Sequence, residues 1–129
     1  MKGVNNSYLY SELTEQIIGA SFAVQNVLGF GLKEKVYQSA LAKEFKNRDI
    51  KFREQVQAEI MYNKEVVGKR YFDFLVKDKI IVELKVGDHF NKQIFFQINE
   101  YLKVSGLELG LIIMFTAQDV RVRRVVNLI

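Results

Sequence analysis

The chain has no cysteine and no proline, and its 129 residues include a single histidine, His89. Without cysteine there can be no disulfide framework, thiolate zinc site or thiol catalysis, which fits an intracellular protein without requiring one. One histidine rules out a histidine-cluster zinc site. Lying two residues past the end of an expected strand, His89 reads as a loop residue, with proton donation near a site as its open functional role. No uninterrupted apolar segment is long enough to cross a bilayer, and the opening Met1-Lys2-Gly3-Val4-Asn5-Asn6-Ser7 lacks the apolar run of a signal peptide. The expectation is a cytoplasmic protein with no membrane partner. There is no internal repeat, low-complexity tract, glycine-rich phosphate loop or GxSxG elbow, so nucleotide hydrolysis on a phosphate loop and the common serine hydrolases drop out.

What is present reads as one domain spanning residues 1–129, with the residues before Ser7 as a flexible tail. Hydrophobic residues make up 49% of the chain and charged ones 26%, ordinary values for a globular protein. A net charge of +4 permits a polyanionic partner and serves solubility equally well.

The stretch Tyr71 to Gly87, Y-F-D-F-L-V-K-D-K-I-I-V-E-L-K-V-G, reads as two apolar strands around the polar turn Lys77-Asp78-Lys79. Asp73, Glu83 and Lys85 stand where such strands should be apolar, and ionised groups there are costly unless something pairs with them. Alternation places Ile81, Glu83 and Lys85 on one face. A three-residue turn sets Asp73 opposite Glu83, whereas a two-residue turn pairs Asp73 with Leu84 and separates the carboxylates. Directly opposed like charges destabilise a ladder, and a bound cation removes that repulsion. Two carboxylates with open positions for water and phosphate oxygens are what Mg²⁺ favours.

Around this hairpin the periodicity predicts order. A first helix, capped by Ser7 or Ser11, carries Leu13, Ile17, Ala20, Val24 and Leu28 on one face and ends at Gly29. A second helix runs from about Leu32 to Asn47 with Val36, Ala40, Leu41 and Phe45 buried. A strand occupies Phe52 to Tyr62, and Gly68 marks a bulge or close approach in the next. After Gly87 a helix runs from about Phe90 to Ser105. Leu109 to Phe115 is a strand buried on both faces at the sheet centre, and Asp119 to Ile129 forms the last strand. The fold class is α/β: a central mixed sheet flanked by helices, in the order α-α-β-β-β-α-β-β.

Asp73 followed by Glu83-Leu84-Lys85 resembles the D…(D/E)xK signature of the PD-(D/E)XK, or restriction endonuclease-like, nuclease superfamily. Gln97-Ile98-Asn99-Glu100-Tyr101 is similar to the QxxxY element of its RecB-type exonuclease branch. Gly31-Leu32-Lys33-Glu34-Lys35-Val36-Tyr37 resembles the pattern that names the GxxExxY family of small predicted nucleases within it. The resemblance implies a Mg²⁺ or Mn²⁺ dependent phosphodiesterase acting on nucleic acid, with DNA as the expected substrate. It implies that Asp73 and Glu83 bind the metal, with Glu34 as a third acid and the Leu84 carbonyl as a backbone ligand, and that Lys85 orients or deprotonates water. Gln97 would reach the metal site or a phosphate, supported by Tyr101.

The resemblance also matches Gln55 to a glutamine often seen in the family. Each role has a plainer counterpart: Glu34 also favours a helix N-terminus, Tyr101 also suits a half-buried core position, and Gln97 and Gln55 also suit solvent. Arg121 and Arg123, with Lys69, are the candidates for backbone phosphates, as is Arg124, although arginines on an edge strand also discourage aggregation. A domain this small grips a duplex better as a symmetric pair, so a homodimer is expected. The alternative to an enzyme is a nuclease fold kept as a catalytically inactive nucleic-acid-binding or assembly module. A purely structural reading would have Asp73 neutralised by an arginine such as Arg70.

Overall fold

A computed structural model of the protein describes residues 9–127, so the expected tail and any cap from Ser7 lie outside it. In order come α1 (Ser11–Leu28), α2 (Glu34–Asn47), β1 (Phe52–Tyr62), β2 (Glu65–Val76), β3 (Ile80–Val86), α3 (Lys92–Ser105), β4 (Leu109–Phe115) and β5 (Val120–Val126). The strands form one sheet in sequence order, β3 and β4 parallel and the other neighbours antiparallel. This is a restriction endonuclease-like α/β arrangement, with α3 as the crossover that a parallel pair requires. No helix among the described residues is long and apolar enough to cross a membrane.

Two cores hold the layers together. On one face α1 contributes Ile17, Ala20 and Val24, and α2 contributes Tyr37, Leu41 and Phe45, against Phe74, Val82, Leu84 and Leu111. On the other, Ile94, Ile98 and Leu102 of α3 cover Leu75, Ile81, Ile112 and Val125. Gly110 allows this close approach, since a Cβ there would stand 2.6 Å from Ile98 Cγ2.

Several boundaries differ from the sequence reading. Ser11 is the first residue of α1 rather than its cap, following Tyr10 in a left-handed conformation. Lys33 is still extended, so α2 begins at Glu34. Its buried stripe then runs through Tyr37, Leu41 and Phe45, four residues apart, and leaves Val36 exposed. Asn91, whose Oδ1 accepts from the Gln93 N–H at 2.7 Å, starts α3 two residues later than expected. β4 is interior and wholly buried, yet β3 holds the middle of the sheet. Next to Gly68 the β1–β2 register slips, leaving Val67 as the extra residue of a bulge. Beyond it the hairpin is an arm with Ile60, Met61, Tyr62, Val66 and Val67 exposed.

Candidate active site

The turn after β2 sets the site. Lys77 and Asp78 both take left-handed backbone and the Lys79 N–H donates to the Val76 carbonyl at 2.9 Å, closing a three-residue loop with Val76 opposite Ile80. Pairing continues through Leu75–Ile81 and Phe74–Val82 and then stops. The next positions are Asp73 and Glu83, and there the carboxylates take over from the backbone. The Asp73 N–H donates to Glu83 Oε1 at 3.1 Å, and the Leu84 N–H donates to Asp73 Oδ2 at 2.8 Å.

Lys85, two residues on along the same face, brings Nζ to 3.9 Å from Glu83 Oε2. Glu34 arrives from the opposite layer. Gly31, at φ +104, makes the corner before α2. One turn into α2, Tyr37 is buried against Phe115, ring centres 4.4 Å apart, and its hydroxyl donates to the Gly29 carbonyl at 2.5 Å. With that loop tied down, Glu34 receives the Val86 N–H and feels the charges of Lys85 and Asp73.

All three acids are held above their usual range, chiefly by burial. Glu83 is pushed up to about 8 by burial first and the Asp73 charge second, against the opposing pull of Lys85 and Arg70. At Glu83 and Asp73, burial thus favours either the neutral acid or a carboxylate with a cation beside it.

Arg70 was weighed from the sequence only as a neutraliser of Asp73, but its Nη2 donates to Glu83 Oε2 at 3.2 Å while Nη1 donates to Gln97 Oε1. Regular alternation would turn Arg70 away from the side chains of Asp73 and Leu75. It does not, because the alternation breaks at Asp73. Phe74 packs edge-on against Phe45 of α2, whereas Phe72, two residues earlier, packs at 5.2 Å against Tyr101 of α3 on the other side of the sheet. Across the ladder the break coincides with Gln55, a non-glycine strand residue at φ +54. The sequence carries no mark of this, since nothing about a glutamine announces left-handed backbone.

The remaining candidates are placed as follows. Gln97 stands behind Arg70, one side chain removed from the acids, and Tyr101 supports Phe72. Gln55 borders, with Glu34, Lys35, Gln38, Ser39 and Glu54, an open groove of about 400 Å³. Arg121 and Arg123 share the sheet face of Lys85 and Glu83, through Met114 and Ile112 respectively, at about 10 Å, two strand spacings. Arg121 lies 3.7 Å from Asp119, and the Arg123 guanidinium lies over the Phe90 ring. Arg124 points to the other layer and donates to the Leu9 carbonyl. Lys69, opposite Glu59 on the arm, faces away from Arg70 and is exposed. His89 is exposed beside Asp88.

A family model described as the PD-(D/E)XK nuclease superfamily matches residues 11–125, most of the chain. The chain belongs to the PD-(D/E)XK nuclease superfamily. No curated protein matches it. Among solved structures, "Crystal structure of SSO0001" is similar, with a TM-score of 0.58 and 18% identity over 91% of this chain and 58% of that one. The chain thus spans a little over half the length of that neighbour, and the likeness concerns the fold.

Nucleases of this superfamily characteristically use divalent metals, and the donors here suit one. Asp73 and Glu83 offer carboxylate oxygens only, in a pocket whose raised acid pKa values register a need for positive charge. Hard oxygen donors of this kind, with no histidine or cysteine beside them, suit a hard divalent cation. Among the described residues no group of three or more acids stands close enough to hold a metal ion, so Glu34 is not brought into one ligand set with Asp73 and Glu83. An open pair is compatible with Mg²⁺, which keeps several waters and takes substrate phosphate oxygens.

Proposed function

We propose that this protein is a Mg²⁺ or Mn²⁺ dependent nuclease of the GxxExxY branch that hydrolyses phosphodiester bonds of DNA in the cytoplasm. The observation that carries the reading is the juxtaposition of Asp73 and Glu83 where β2 and β3 part, with Lys85 3.9 Å from Glu83. A bound divalent cation supplies charge stabilisation at the phosphate and a more acidic water.

In this reading Asp73 and Glu83 hold the cation together with the Leu84 carbonyl, and Glu34, which interacts with the charges of Lys85 and Asp73, adds negative potential beside it. Lys85 orients or deprotonates the attacking water. Glu83 fixes the ammonium by charge, and the half-buried setting keeps that charge from being screened as it would be in bulk water. Gln97 and Tyr101 act from behind, through Arg70 and Phe72. Arg121 and Arg123, on the same sheet face, contact backbone phosphates. A symmetric pair gripping a duplex would also cover the apolar side chains that the hairpin arm exposes.

The Arg70–Glu83 ion pair favours one second reading, a nuclease fold serving as a non-catalytic binding module, because it neutralises part of the acidic pair without any metal. Cleavage of supercoiled, linear and single-stranded DNA in Mg²⁺ or Mn²⁺, by wild type and a folded Asp73→Ala variant, separates the two. The nuclease reading expects cutting that disappears in the variant, with the substrate pattern showing whether an end is needed. Cation binding without cutting of any substrate would favour the module.

A further inference from the structure

Arg70 is unusual among the cations of this chain in having one guanidinium shared between the acidic pair and α3. Its Nη2 reaches Glu83 Oε2, its Nη1 reaches Gln97, and its Nε is buried with no hydrogen-bond partner. The guanidinium also lies 4.6 Å from the centre of the Phe72 ring, which is fully buried and itself backed by Tyr101. With its side chain only 22% exposed, this guanidinium gains from an anionic or carbonyl partner, since little of it is left to water. It has two such partners, one on each side.

Building on the metal-dependent reading, we propose that Arg70 is the resident counter-ion of the acidic pair, competing with a divalent cation for Glu83, and that Gln97 is the anchor that retains Arg70 when the cation takes its place. Gln97 is then a positioning residue acting through Arg70. It need not touch metal or substrate.

The competition follows from charge. A guanidinium within hydrogen-bonding distance of Glu83 Oε2 repels a divalent ion at the same carboxylate, and the partly buried setting weakens screening. Removing the positive charge favours cation binding. Removing Gln97 does the reverse, because the enclosed guanidinium then has only Glu83 to hold.

The test is Mn²⁺ affinity, measured on metal-stripped protein without substrate, for wild type, Arg70→Gln, Arg70→Lys, Gln97→Ala and the Arg70→Gln/Gln97→Ala double variant, each checked for folding by circular dichroism. Arg70→Gln should bind Mn²⁺ roughly tenfold more tightly, a conservative figure for deleting one charge beside a carboxylate. Arg70→Lys, which keeps the charge, should stay near wild type. Gln97→Ala should weaken binding about threefold while Arg70 is present, and have no effect once Arg70 is Gln.

A merely structural Arg70 predicts lower thermal stability with unchanged or weaker Mn²⁺ binding in Arg70→Gln, and that result overturns the proposal. So does a Gln97→Ala effect that persists without Arg70, which would place Gln97 on the cation directly. Should Arg70→Gln not fold, Arg70→Lys and Gln97→Ala decide: the proposal fails if Gln97→Ala binds as tightly as wild type. Asp73→Ala separates this failure from that of the metal site itself. If it binds Mn²⁺ like wild type, the acidic pair is not the cation site and both readings fall. If it loses binding while Arg70→Gln does not tighten it, only the counter-ion role is lost. No binding by wild type or Arg70→Gln overturns both.

Discussion

Glu83 is the residue on which the local electrostatics turn. Its ordinary pKa near 4.5 rises to about 8 in the folded protein, so the native state holds a proton more tightly than the unfolded chain. The corresponding stability is fully present below about pH 4.5 and is lost as pH rises through about 8. Asp73 and Glu34, both raised, push in the same direction. Urea denaturation in EDTA should therefore give a falling midpoint from pH 5 to pH 8.5. Adding Mg²⁺ should flatten that fall, since a cation replaces the proton as the partner of the pair. A midpoint that rises over this range in EDTA would mean that the acids are better compensated by Arg70 and Lys85 than the geometry indicates.

At the scale of elements, the site depends on two helices being held from opposite sides. The Tyr37 hydroxyl ties the Gly29 loop so that α2 presents Glu34, and Tyr37→Phe should cost about 1 kcal/mol of stability for the lost hydrogen bond. Gly110 lets α3 sit close enough for Gln97 to reach Arg70. Gly110→Ala drives a methyl group to 2.6 Å from Ile98 Cγ2 and should destabilise by about 1–3 kcal/mol, measured as a shift in the denaturation midpoint. An unchanged midpoint would show that α3 can move outward at little cost.

The same elements show what the sequence makes legible. The hairpin and the alternation Ile80, Val82, Leu84 against Ile81, Glu83, Lys85 were legible, but the register stayed open between a two- and a three-residue turn, and left-handed backbone at Lys77 and Asp78 decides for the latter. Element order was readable because each apolar stripe has one period. The reversal of face between Phe72 and Phe74 was not, because it depends on left-handed backbone at Gln55, a residue with no intrinsic preference for it. Arg70 does act on the Asp73 charge, as the purely structural reading required, but its ion pair with Glu83 and the indirect position of Gln97 behind it could not be foreseen. Val36 lies outside the buried stripe for a smaller reason: Tyr37, four residues before Leu41, stands over it on the helix, whereas Val36, five before it, does not.

Across the whole molecule, the face of the sheet that carries Glu83 and Lys85 also carries Arg121 and Arg123, while Lys69 faces away on the arm and Arg124 serves the α1 layer. Three of the four phosphate-contact candidates, Arg121, Arg123 and Lys69, should therefore separate. Arg121→Ala and Arg123→Ala should each weaken DNA binding and lower the slope of log affinity against log salt by about 1. Lys69→Ala should leave the slope unchanged. Equal effects for all three would indicate diffuse attraction to a basic surface rather than a track beside the acids. Light scattering checks the proposed pair, for which a 30 kDa particle, twice the 15.0 kDa chain, is expected. Replacing Met61 and Tyr62, at 50% and 68% exposure, with polar residues should halve that mass if the arm forms the contact.

Lys85, beside a cation-binding acidic pair, is the centre of the proposed chemistry. The most direct measurement follows plasmid cleavage in Mg²⁺ by wild type and Lys85→Met, with Mn²⁺ binding measured on the same two preparations. The expected result is that Lys85→Met still binds the cation but cuts about 10²- to 10⁴-fold more slowly, the range for losing a positioned proton-transfer group. Equal cutting by both proteins, or cation binding by wild type with no cutting of any nucleic acid, would contradict it.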